Sequence, residues 1–134
     1  MYTSLFPTRR RDGVEWEVED HKVVQSVPTS YADEDIDITS VSDRDTNITY
    51  SFYATPAVKA DRRRAALEFA RDQLLKEVSK QRHNVLLMEG WTVTTFRKGA
   101  SRRIEVRYSG RPAVAVGNIQ PRKPPFMGIL DADL

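Results

Sequence analysis

The chain of 134 residues contains no cysteine, which excludes disulfides, thiolate metal sites and cysteine nucleophiles. It has only two histidines, His21 and His83, the residue type that titrates near neutral pH without help from its surroundings. No apolar run approaches the roughly 18 residues of a membrane span. The N-terminal stretch around Arg9-Arg10-Arg11 lacks the apolar segment of a signal peptide. An intracellular, cytoplasmic location away from membranes is therefore expected. Phosphate-cradling glycine loops, serine elbows and metal-ligand spacings are also missing. Asp43, Asp45 and Asn47 have the spacing that opens a calcium loop. The sixth and twelfth positions, however, carry Ile48 and Ala54 where glycine and a bidentate glutamate are needed. These absences weigh against an enzyme, and neither metal nor cofactor is expected.

What the chain does have suits one packed domain: 40% hydrophobic residues, five Phe, five Tyr and two Trp. The formal net charge of +2 hides an asymmetry. Residues 13–47 hold ten acids against Lys22 and Arg44, whereas residues 48–130 hold sixteen Lys/Arg against six acids. Either the two blocks face each other in the fold or a dimer, or the second forms a basic surface for a polyanion.

Residues 1–12 carry no period and read as a basic N-terminal arm, ahead of one α+β domain over 13–118 and a proline-containing tail over 119–134. Val14, Trp16 and Val18 alternate with Glu15, Glu17 and Glu19, the period of a half-wet strand. Asp20-His21 is expected to turn the chain into a partner strand over Val23 to Val27. Ile36 and Ile38, then Ile48, Tyr50 and Phe52, alternate with polar residues about Ser42-Asp43-Arg44-Asp45, suggesting a second hairpin.

Thr55-Pro56 suits a helix opening, and no Gly or Pro follows until after Arg82. Leu67, Ala70, Leu74 and Val78 form one apolar stripe, with Phe69 and Leu75 off its centre. A long helix over about 56–83 is expected, with Asn84 as a left-handed stop. Val85 to Met88 reads as a buried strand, Gly90 as a bulge or bend. The alternating runs around Trp91–Phe96 and Arg103–Tyr108 form a hairpin about Lys98-Gly99-Ala100-Ser101, and Ala113 to Val116 adds a further strand. The expectation is thus an α+β fold of about seven mostly antiparallel strands and one long central helix, in the order β-β-β-β-α-β-β(-β).

Three sites follow. Arg97, Lys98, Arg102, Arg103 and Arg107, with Trp91 or Tyr108, could hold phosphates and stack bases as a nucleic-acid or polyanion surface on the 97–111 hairpin. Basic strands about a helix are similar, in architecture alone, to the Whirly and PUR-type single-strand binders, none of whose motifs occurs here. Glu89, between an apolar run and Gly90-Trp91, is a candidate proton-transfer group if it points inward, with His83 beside it, in a small isomerase- or cyclase-type cavity enzyme. Phe69, Leu75, Phe126 and Met127 offer apolar surface to a partner, and the tail is a natural exchange element. Arg62-Arg63-Arg64 oppose the helix dipole and call for acids, with Asp33 to Asp37 the expected source. The reading that needs fewest special residues is a non-catalytic interaction or scaffold module that self-associates or binds a protein partner. Nucleic-acid binding comes second and the cavity enzyme third.

Overall fold

The computed structural model describes residues 15–29, 35–54 and 60–131. The basic arm, Asp33 and Glu34, and the Thr55-Pro56 helix opening lie outside them. Five strands and one helix follow in the order β1 (Glu17–Pro28), β2 (Ile36–Val41), β3 (Thr46–Ala54), α1 (Ala60–Ser79), β4 (Val85–Lys98) and β5 (Ser101–Gly117), with a 3-10 turn at Met127–Asp131. All pairings are antiparallel. The α+β class and the strands–helix–strands order are as the pattern predicts.

Among the described residues there are five strands and not seven, because the stretch expected to form a hairpin about Asp20-His21 is one strand and Ala113–Val116 joins β5. The second expected early hairpin is absent too, although its two strands form. Asp20-His21 does not turn. Glu19 is extruded as a bulge between Val18 and Asp20, a second irregularity falls between Val24 and Val27, and β1 runs on through both against β4. A bulge absorbs one residue and adds twist without reversing the chain. Nor do β2 and β3 pair with each other: Ile36–Val41 lies along the end of β5 (Val41 opposite Ala113), and Thr46–Ala54 continues along the same edge (Thr46 opposite Gly110). Ser42 to Asp45 interrupts one long line. The 17-residue β5 absorbs Ala113–Val116, so those residues are no separate strand. The sheet order is β1-β4-β5, with β2 and β3 end to end on the far side of β5.

Helix α1 ends by a Schellman-type closure: Arg82 takes φ +69° and the His83 N–H reaches the Val78 carbonyl at 3.1 Å. The left-handed residue is Arg82, not Asn84. Asn84 instead belongs to the ladder, since its side chain both donates to and accepts from the Ala115 backbone at 2.8 Å and its own N–H bonds the Ala113 carbonyl.

Period-2 alternation places Trp91, Val93, Ile104, Val106 and Tyr108 on the helix side, where they meet Leu67, Ala70, Leu74 and Val78 of α1 in one core. The tail supplies the rest of that layer. Leu130 is buried in the same core, Met127 and Ile129 pack against it, and the Trp91 indole N–H donates to the Pro125 carbonyl at 2.8 Å. Two of the three arginines in the first turns of α1 hold this tail: Arg63 bonds the Leu130 carbonyl at 3.0 Å and Arg64 pairs with Asp131. Among the described residues the tail, and neither Asp35 nor Asp37, answers these two; Asp33 and Glu34 lie outside that set.

Candidate functional site

Two features of β4 put Glu89 inside. An extra residue between Leu86 and Glu89 shifts the β4–β5 register by one, so Leu86 and Glu89 face the helix together. Next to it, Gly90 lets β1 come close: a Cβ there would lie 2.8 Å from the Ser26 backbone nitrogen. Glu89 is left 1% exposed. Its Oε1 accepts from the Arg71 Nε at 2.7 Å and from the Tyr108 hydroxyl at 2.6 Å. Oε2 accepts from the Thr29 hydroxyl at 2.7 Å and, more loosely, from Arg71 Nη2 at 3.5 Å. Arg71 is itself 4% exposed and sends Nη1 to the Arg122 carbonyl at 3.0 Å, which ties the tail to the pair. Burial, reinforced by the neighbouring Glu89 carboxylate, pushes the Tyr108 hydroxyl far above the usual tyrosine range.

This cluster joins α1, β4, β5, the end of β1 and the tail, and it satisfies the carboxylate on both oxygens. Such an arrangement fixes register and orientation. For proton transfer, Glu89 would have to exchange partners that hold it at 2.6 to 2.7 Å. His83, the expected companion, sits at the helix end and is not among the partners of Glu89. Cavities near the pair open on the Arg71 side chain, one of about 340 Å³ between α1 and Pro121–Pro124.

The basic hairpin divides by alternation. Arg97 and Arg102 oppose each other on the helix-bearing side, beyond the helix. Lys98, Arg103 and Arg107 take the other side, with Glu105 between the two arginines. Most of these cations are answered. Arg97 pairs with Glu17 at 3.1 Å, Arg102 with the bulged Glu19 at 2.9 Å, and Arg111 with Asp45 at 2.7 Å. The acidic first third and the basic second half thus meet across the sheet. Arg103 lies over its own aromatic rings, 5.0 Å from Trp16 and 4.3 Å from Phe96, with Lys98 6.0 Å from Trp16. Arg107 is exposed and, among the described residues, has no ion pair. Trp91 and Tyr108, expected to support this face, are buried on the helix side, because their positions carry the opposite parity from Arg103 and Arg107.

The apolar candidates fall in two places. Phe126 is 63% exposed, at φ +55°, where the tail turns into the 3-10 segment, and Met127 packs inward. Leu75 is half-buried against the core. Phe69 is 41% exposed and stands edge-on to Tyr50 at 5.1 Å and to Phe52 at 5.6 Å. Beside it, Phe52, Tyr53, Ile104, Ala65 and Arg62 border a groove of about 500 Å³.

The strand next to that groove was not singled out by the sequence reading. Among the described residues, nothing pairs with the outer edge of β3. Its nine residues, Thr46-Asn47-Ile48-Thr49-Tyr50-Ser51-Phe52-Tyr53-Ala54, include no charge, proline or glycine, and its register against β5 is unbroken. Other edges are defended. β1 has two bulges, Glu17, Glu19, Asp20, Lys22 and a terminal Pro28, while β2 is short, bulged and carries Asp37. The signal was legible as an uncharged β-prone run, but its exposure depended on β2 and β3 not forming a hairpin.

Among the described residues the fold is one α-helix, completed by the strap over Pro121–Asp131, laid on one side of an antiparallel sheet. Compared with known proteins, the chain matches no family model, no curated protein and no solved structure.

Proposed function

We propose that the chain is a non-catalytic interaction module that self-associates through the β3 edge and the aromatic groove beside it. The observation that carries this reading is the contrast between edges. A long, flat, uncharged strand with unpaired backbone groups is a template for another strand, which proteins ordinarily blunt with charge, proline or bulges. β1 and β2 carry such devices and β3 has none. Strand addition supplies backbone hydrogen bonds, and the groove at Phe52, Tyr53 and Phe69 supplies an apolar anchor next to them. The chemistry elsewhere points the same way: Glu89 is held by structural partners, and Arg97 and Arg102 of the hairpin meet acids of the same chain.

Light scattering across a concentration series tests it. The wild-type chain is expected to give a multimer mass. Thr49→Lys, which puts an edge charge on an exposed side chain, is expected to return the monomer mass while keeping the circular dichroism spectrum. A monomer at every concentration for the wild-type chain would sink the proposal.

A further inference from the structure

We infer that the strand that occupies the β3 edge is β3 of a second copy, paired antiparallel about a twofold axis through Tyr50. This rests on the reading of β3 as a self-association edge and adds the partner's identity and register.

Three observations lead there. First, side-chain parity limits the register. Ile48, Tyr50 and Phe52 face the helix side, half-buried, and Asn47, Thr49, Ser51 and Tyr53 face the other. Two such strands continue one sheet only if like faces coincide, and a one-residue slip would set the apolar stripe against the polar one. Among the allowed registers, full overlap of Thr46–Ala54 with its copy places Tyr50, its middle residue, opposite itself. Ile48 then faces the copy's Phe52, and Thr49 its Ser51.

Second, no charge has to be desolvated anywhere along the strand, on either side of the axis. The pairing would also shield Phe69, whose exposed ring already leans on Tyr50 and Phe52.

Third, the ends are complementary. Asp43 precedes β3 and Arg62 borders the groove at its Tyr53 end. Both are exposed, and neither has an ion pair among the described residues. Antiparallel pairing brings Asp43 of each copy toward Arg62 of the other. The interface is isologous, so every contact is made twice.

The absence of cysteine makes the test direct. Thr49→Cys and Ser51→Cys chains are prepared singly, oxidised alone and as an equimolar mixture, and run on non-reducing gels beside light scattering of the wild-type chain. The expected result is a wild-type dimer mass, with a disulfide-linked dimer from the mixture and none from either variant alone. A dimer mass without the mixed cross-link would overturn this register and leave self-association standing. Cross-linking of Thr49→Cys with itself would point to parallel strands or to an antiparallel register centred on Thr49, with the same consequence. A wild-type monomer would remove both the inference and its parent, the edge then being covered by another part of the chain or left open.

Discussion

A carboxylate folded into a core costs several kcal/mol unless its lone pairs are met, and Glu89 has its two oxygens met by Arg71, Tyr108 and Thr29. Tyr108 reports on this arrangement through pH. Its hydroxyl stays protonated in the fold because burial and the Glu89 carboxylate disfavour the phenolate. In the unfolded chain it titrates near pH 10. A group raised in the folded state contributes fully below the unfolded value, and that contribution drains away as pH climbs toward the folded one. Stability should therefore fall more steeply for wild type than for Tyr108→Phe above about pH 10, by roughly 1.4 kcal/mol per pH unit. At neutral pH, the Phe variant should be less stable by about 1.5–3 kcal/mol, the worth of a hydrogen bond to a charged group. Urea unfolding of both chains at neutral and alkaline pH checks this, and parallel pH profiles would refute it. Of this cluster only Glu89 was legible in the sequence, Tyr108 being read for the opposite, basic face. Glu89 stood out between an apolar run and Gly90-Trp91, whereas Arg71 passed as one helical charge among many. Yet Arg71 lies four residues after Leu67 and three before Leu74, on the buried stripe, where a cation demands a partner.

At the scale of elements, the long helix and the hairpin about Lys98-Gly99-Ala100-Ser101 were readable because each rests on local signals: propensity and apolar spacing for α1, alternation about a glycine turn for β4 and β5. Gly99, at φ +61°, supplies the left-handed residue of that turn. The first half misled because bulges and turns draw on the same polar residues. Asp20-His21 reads as a reversal, but the strand passes straight through with Glu19 extruded toward Arg102. Only pairing with β4, many residues later, decides between the two. Gly90 shows how that pairing is fitted. Its absent side chain lets the irregular stretch of β1 at Ser26 lie against β4. Gly90→Ala should cost about 1–3 kcal/mol, as overpacking against backbone does. Gly128→Ala, where an added Cβ meets nothing within 4 Å, serves as the matched control. Denaturant midpoints that shift equally for both would show that the β1–β4 approach is not tight.

For the whole molecule, the decisive question is where the separated charges end up. Along the sequence they promised either a basic face or internal compensation, and the fold brings acid to base: β1 lies beside β4, and Asp45 precedes the β3 strand that lines β5. Glu17, Glu19 and Asp45 thereby reach Arg97, Arg102 and Arg111. Exposed pairs of this kind add at most about 1 kcal/mol each to stability, so their main consequence is for the surface potential. Phosphate binding gains from clustered, unanswered cations and loses affinity steeply with salt as counterions are recaptured. Alternation has already split this hairpin between two sides of the sheet, Arg103 is stacked on its own rings, and carboxylates sit beside Arg97 and Arg102. Fluorescence anisotropy with labelled single-stranded DNA and RNA at two salt concentrations should accordingly give weak binding with a shallow salt slope. Arg107→Ala, which removes an exposed cation without an ion pair among the described residues, should flatten that slope by no more than about one phosphate contact. Tight binding that collapses with salt would mean that the acid–base pairs open in solution, and the hairpin would then displace β3 as the working surface.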